Sequence, residues 1–133
     1  MIRVYTASKL KHARYWRELC ETTHHVQFHA RWLKHNRIGT PDTPEHASLF
    51  WLEDEQDVRD ADAVLVYAEG DDHLRGALVE AGMAIAYGVP VIVVGTHPDY
   101  GTWQNHPGVI RAKDIHDAMM QLAEITPRCA QAA

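Results

Sequence analysis

Two runs of the chain are apolar without interruption, Ala63-Val64-Leu65-Val66-Tyr67-Ala68 and Val91-Ile92-Val93-Val94, the second entered through Pro90 and left at Gly95. Short β-branched runs of this kind predict strands buried on both faces, as in the middle of a parallel sheet. The opening Ile2-Arg3-Val4-Tyr5-Thr6 alternates and predicts a first strand. His25 to His29 predicts a short second strand, and Gly108-Val109-Ile110 a short last one. Between them the apolar period lengthens. A helix is predicted from about Leu10 to Glu21, with Ala13, Trp16, Leu19 and Cys20 near one face. A second runs from Pro44 or Glu45 to about Arg59, with Ala47, Phe50, Trp51, Leu52 and Val58 as its buried side. A last amphipathic helix spans Ile115 to Ile125.

The stretch 76–88, Gly-Ala-Leu-Val-Glu-Ala-Gly-Met-Ala-Ile-Ala-Tyr-Gly, predicts a further helix, bounded by glycines and stopped by Val89-Pro90. Glu80 is its one charge. A helix apolar on every side is normally covered on every side. On a wheel Leu78, Ala81 and Ile85 face one way, with Glu80, Met83 and Tyr87 roughly opposite. One face suits a sheet; the other needs a cleft, a ligand or a second subunit. A lone carboxylate there is either solvated at a helix edge or a working acid.

Strands alternating with helices predict a parallel sheet wound on both faces. With right-handed crossovers, five strands in the order 2-1-3-4-5 give a three-layer, flavodoxin-like (Rossmann-like) α/β sandwich. Residues 1–126 are expected to form one domain, with 127–133 a flexible tail. In such sheets ligands bind outside the carboxyl ends of the strands where the winding reverses, so the candidates are the loops after Tyr5, Phe28 and Ala68. Glu80 lies about one turn into the helix that follows the last of these. In the first loop, Ser8 can cap the helix, and the same turn's amides would also suit a phosphate. The connection 30–44 is long for a compact domain. Arg31, Trp32 and Arg37 could cover a flat or anionic ligand there, or Trp32 could simply pin the loop to the core. Asp54, Asp57, Asp60 and Asp62 crowd the end of the second helix, against its macrodipole, which makes a site role for one of them worth considering.

Composition narrows the function. The 133 residues are 46% hydrophobic and 23% charged, an ordinary globular balance, and the net charge of −5 argues against a nucleic-acid polymer or an anionic membrane surface as partner. No apolar run reaches spanning length, and the start of the chain reads as a strand rather than a signal peptide. Cys20 and Cys129 form no metal or redox spacing, which suggests reduced thiols and a cytoplasmic location. Ten histidines invite a metal, but none forms a His-Glu-x-x-His pattern. His25 and His29 are four apart across a predicted strand, which breaks the helical face they would need. Neither metal nor other cofactor is expected.

Taken together, Val4-Tyr5-Thr6-Ala7-Ser8, the acidic run from Asp57 through Asp62 into Ala-Val-Leu-Val, and Gly76-Ala-Leu-Val-Glu80-Ala-Gly82-Met-Ala84 leading to Gly88-Val-Pro90-Val resemble a known pattern. It is that of the nucleoside 2-deoxyribosyltransferases and the related nucleoside 5′-monophosphate N-glycosidases, over most of residues 1–95. The resemblance implies that Glu80 attacks or stabilises the anomeric carbon while the base departs, that Tyr5 orients this carboxylate, and that Asp57 helps hold the site. It implies substrate contacts from Thr6, Ala7, Ser8 and Gly76, to which Arg31 and Trp32 of the long connection are added. Leu74 stands where such proteins usually carry Asp or Ser, six residues before the glutamate. Asp72 and His73, just upstream in a loop about two residues longer, are the candidates to take that place. A carboxylate suits the chemistry, because breaking an N-glycosidic bond builds positive charge on the sugar. The expected function is therefore cleavage of, or transfer across, the N-glycosidic bond of a nucleoside or nucleotide, with Glu80 as nucleophile, in a homodimer or higher homo-oligomer. The alternative is a non-catalytic nucleotide-binding module in which Glu80 grips ribose hydroxyls. A receiver-like signalling domain fits less well, since no acidic pair or Ser/Thr-rich phosphate loop follows the first strand.

Overall fold

The computed structural model describes residues 1–34 and 43–128. Its strands are β1 (Ile2–Ala7), β2 (Val26–Phe28), β3 (Ala63–Val66), β4 (Val91–Val94) and β5 (Val109–Ala112), and its helices α1 (Ala13–Thr22), α2 (Pro44–Arg59), α3 (Gly76–Ala86) and α4 (Ile115–Ala123). All four strand pairings are parallel, and the sheet order is β2-β1-β3-β4-β5. The register sets Val4 beside Ala63, Val64 beside Val91, and Val91 beside Val109. The chain first steps outward from β1 to β2, then returns past β1 to β3. That reversal puts helices on both faces of the sheet, giving the three-layer α/β architecture its alternating pattern predicts.

The core follows from the uninterrupted apolar runs. Every residue of β3 and β4 is buried, and Trp16 of α1 packs edge-on against Tyr67 and beside Phe28. Thr43 caps α2 by accepting from the His46 amide, with Pro44 at the first helical position. Asp114 caps α4 by accepting from Asp117 N–H, while Asp117 accepts in return from Lys113 N–H. Gly88 ends α3: at φ +72° it lets its own N–H reach the Ile85 carbonyl and the Val89 N–H reach the Ala84 carbonyl, a Schellman closure.

Two expectations about faces are corrected. The buried stripe of α2 runs through Asp54, Asp57 and Val58, with Ala47, Phe50 and Glu53 half-buried, while Leu52 and Trp51 are exposed. The stripe Ala47, Phe50, Trp51, Asp54 keeps helical spacing, so α2 turns a carboxylate rather than Leu52 inward. In α3 the buried stripe is Ala77, Glu80, Ala81 and Ala84, placing Glu80 on the covered side, while Val79, Gly82 and Ala86 face out. Alanines let the helix lie close to β1, β3 and α2, and the larger apolar residues are left at its flanks. Beyond α4 the Arg128 amide donates to Asp62 at 2.7 Å, and its guanidinium donates to the Arg59 and Ala61 carbonyls. Residues 129–133 lie outside the described residues.

Replacing Gly88 by Ala forces a Cβ into the left-handed conformation that closes α3. It is expected to lower stability by about 1–2 kcal/mol, read as a fall in the denaturant midpoint at unchanged slope.

Candidate active site

The reversal of winding sets the turn after β1 beside the loop after β3, and α2 closes the space between them. The resulting cavity has a volume of about 560 Å³, in the range of small-molecule sites. Ser8, Lys9, Leu10 and Lys11 line it from the β1 turn, Ala47, Phe50, Trp51 and Asp54 from α2, and His73 through Ala77 with Glu80 from the loop and first turns of α3. Two buried carboxylates, Asp54 and Glu80, thus share a cleft with Lys9, Lys11, Arg75 and His73.

Glu80 lies close to Gly76. Helical side chains lean toward the helix N-terminus, so Glu80 lies back over the residue one turn earlier. A Cβ at position 76 would stand 3.5 Å from Glu80 Oε1 and 3.4 Å from Trp51 Cη2. These are ordinary contact distances, and they show the indole of α2 and the carboxylate of α3 converging on one point of the helix start. Arg75 offers α3 no side-chain cap, and the helix begins in the cavity wall, where its N-terminal amides favour negative charge.

Ser8 lines the cavity but does not cap the first helix. Its Oγ accepts from Trp16 Nε1 at 2.7 Å, and neither the 3-10 turn Leu10–His12 nor α1 carries a side-chain cap. The helix starts later than its apolar pattern suggests, and the hydroxyl satisfies a buried indole instead.

Asp72 is fully buried at its side chain and carries three partners. Oδ1 pairs with Lys11 Nζ at 2.6 Å, and Oδ2 lies 2.8 Å from both His12 Nε2 and the Glu69 amide. Burial pushes its pKa upward, but the Glu69 amide, Lys11 and His12 outweigh it and hold the carboxyl well below the usual range. Asp57 accepts from the Arg31 amide at 2.8 Å and pairs with its guanidinium at 2.9 Å, tying the segment after β2 to α2. Trp32 is buried and donates to the Thr6 carbonyl at 2.9 Å.

Of the residues singled out in the sequence, Glu80, Ser8, His73 and Gly76 line the cavity. Tyr5, Thr6 and Ala7 are wholly buried in β1 behind it, while Asp57, Arg31, Trp32 and Asp72 belong to its frame rather than its lining. Arg37 and most of the connection 30–44 lie outside the described residues. Lys9, Lys11, Arg75 and the distinct position of Asp54 escaped sequence reading. The available signals were two lysines directly after the first strand and the helical spacing of Asp54 from Ala47, Phe50 and Trp51. Among the described residues, no group of three or more His, Cys, Asp or Glu side chains is arranged to hold a metal ion, and no helix is long and apolar enough to cross a membrane.

No protein-family model and no curated protein sequence matches the chain. Among solved structures it is similar to the CMP N-glycosidase BcmB of Clostridium botulinum, with 16% identity and a TM-score of 0.50, over 90% of this chain and 96% of that one. At that identity the likeness establishes a shared α/β fold.

The depressed pKa of Asp72 has a pH signature. The stability it contributes is fully present above the ordinary carboxylate range and is lost as pH falls through and below about 4, as the native carboxyl takes up its proton. Asp72→Asn is therefore expected to be less stable than wild type at neutral pH, with the gap closing toward acid, measured by urea unfolding at a series of pH values.

Proposed function

We propose that this protein cleaves the N-glycosidic bond of a nucleotide, with Glu80 as the nucleophile. The observation that carries the reading is one cleft in which two buried carboxylates stand with three lysine or arginine side chains and two aromatic rings. Each part answers a part of a nucleotide: cations for the phosphate, carboxylates for the sugar's anomeric centre, and Phe50 and Trp51 for the base. The shared fold with a CMP N-glycosidase and the sequence resemblance around Glu80 support the same class of substrate.

In this reading a Glu80 oxygen attacks C1′, and the C1′–N bond breaks with its electron pair leaving on the base nitrogen. Asp54, in its acid form, delivers the proton that the departing base takes up. Water then attacks C1′ and loses a proton to Asp54, the glutamyl oxygen departs with the bond pair, and the free sugar phosphate leaves. Entry of a second base in place of water would give transfer instead. Tyr5, behind the cleft in β1, serves to orient Glu80, and Asp57 acts through the frame by holding Arg31. The same reading takes the protein as cytoplasmic, where nucleotides are abundant.

Glu80→Gln keeps the shape and removes the nucleophilic charge. Release of free base from a panel of nucleotides and nucleosides, followed by chromatography, is expected to fall by about a thousandfold or more, while nucleotide binding and the melting temperature stay near wild type. Wild-type protein that binds nucleotides but frees no base would instead favour a binding module.

The reading includes a homodimer. Leu49 and Leu52 of α2 and Val79 of α3 are exposed on helices that pack against each other, and exposed Trp51 carries this apolar surface to the cavity rim. Sedimentation at micromolar concentration is expected to give twice the chain mass. Leu52→Lys should return it to the monomer.

A further inference from the structure

We infer that Asp72 is a positioning residue for ligand binding: it holds the Lys11 ammonium at the cavity wall, where Lys11 takes the phosphate of the substrate. The inference rests on the nucleotide reading above. Its basis is an ion pair that joins the two loops flanking the cleft. Lys11 and His12 belong to the turn after β1, and Glu69 and Asp72 to the loop after β3. Asp72 draws both sets together through Lys11 at 2.6 Å, His12 at 2.8 Å and the Glu69 amide at 2.8 Å.

Burial makes this clip selective. The Asp72 side chain has no exposed surface, and a buried carboxylate persists where it is paired and hydrogen-bonded. With His12 and the Glu69 amide on Oδ2, the carboxylate plane is set and Oδ1 is aimed at Lys11. Lys11 itself is half-exposed on a flexible four-carbon stem that would otherwise sweep solvent. Asp72 Oδ1 is its close partner and the exposed Asp71 carboxylate stands farther off at 3.7 Å, so the ammonium, with three N–H groups, keeps donor capacity for an anion in the cleft it lines. Asp72 is absent from the cavity lining, and its negative charge would repel a phosphate in direct contact. It therefore acts on the ligand through Lys11.

The test is calorimetric binding of the four common nucleoside 5′-monophosphates and their nucleosides to the full chain. Wild type is compared with Asp72→Asn, Lys11→Met and the double variant. Wild type is expected to bind its nucleotide more tightly than the matching nucleoside. Each single variant should weaken the nucleotide about tenfold, the loss of one charge-assisted contact, and leave the nucleoside within about twofold. The double variant should be no weaker than either single one, because both remove the same contact. A merely structural Asp72 would weaken nucleotide and nucleoside alike, and that result overturns the inference. Additive losses in the double variant, or a wild type without preference for nucleotides, overturn it as well. If Asp72→Asn does not fold, Lys11→Arg, which can still pair with Asp72, replaces it: retention of the nucleotide preference in Lys11→Arg with loss in Lys11→Met supports the clip, and equal loss in both overturns it. Base release is measured separately, so a wild type that shows the binding preference yet frees no base refutes the glycosidase reading and leaves the role of Asp72 standing.

Discussion

The parallel pairing of β1 with β3 is the constraint on which the rest depends. With Val4 beside Ala63 and Ala7 beside Val66, both strands end at the same edge of the sheet, and the loops that leave them have to share the space beyond it. One loop carries Ser8, Lys9 and Lys11; the other carries Asp72, His73 and Arg75 and delivers α3. Because β2 lies on the far side of β1, no strand fills the gap at that point, and α2 comes back across it instead. The cleft is a consequence of topology before it is a consequence of any side chain.

Charge within this frame is distributed by burial. Four aspartates crowd the end of α2 and the entry to β3, and each meets a different fate. Asp57 is neutralised by Arg31, and Asp62 accepts the amides of Arg3 and Arg128. Asp60 takes the exposed Gln56 side chain. Asp54 goes into the cleft opposite α3. Asp72 is the counterpart on the other wall, where a lysine, a histidine and a backbone amide meet one buried carboxylate. A charge taken out of water has to be matched locally, so these pairs double as the fasteners between segments that lie outside the sheet.

α3 joins the two themes. Its alanine stripe lets the backbone approach the sheet closely, and the same stripe carries Glu80. A bulkier helix would stand farther off, and Gly76 marks the point where the Trp51 ring and the Glu80 carboxylate converge to within contact distance of one backbone position. Small residues here buy no contacts of their own; they set the distance at which larger groups meet.

What the sequence determined by itself is the sheet and its strand order. Uninterrupted apolar runs at 63–68 and 91–94 fit interior parallel strands, and the alternation of strand and helix periods leaves few topologies, so the strand order was legible in the sequence, as was the helix that carries Glu80. Gly88 before Val89-Pro90 likewise announced the end of α3. Tertiary structure decided which faces look inward and which polar groups find each other. Leu52 reads as core on hydrophobicity alone, yet it is exposed because α2 turns Asp54 toward the cleft. Ser8 reads as a cap, yet it serves Trp16, eight residues along the chain. The pairing of Asp72 with Lys11 and His12 spans about sixty residues and leaves no mark on local pattern. Periodicity reports only what each segment buries; the partner of a buried charge is chosen by the three-dimensional neighbour that desolvates it.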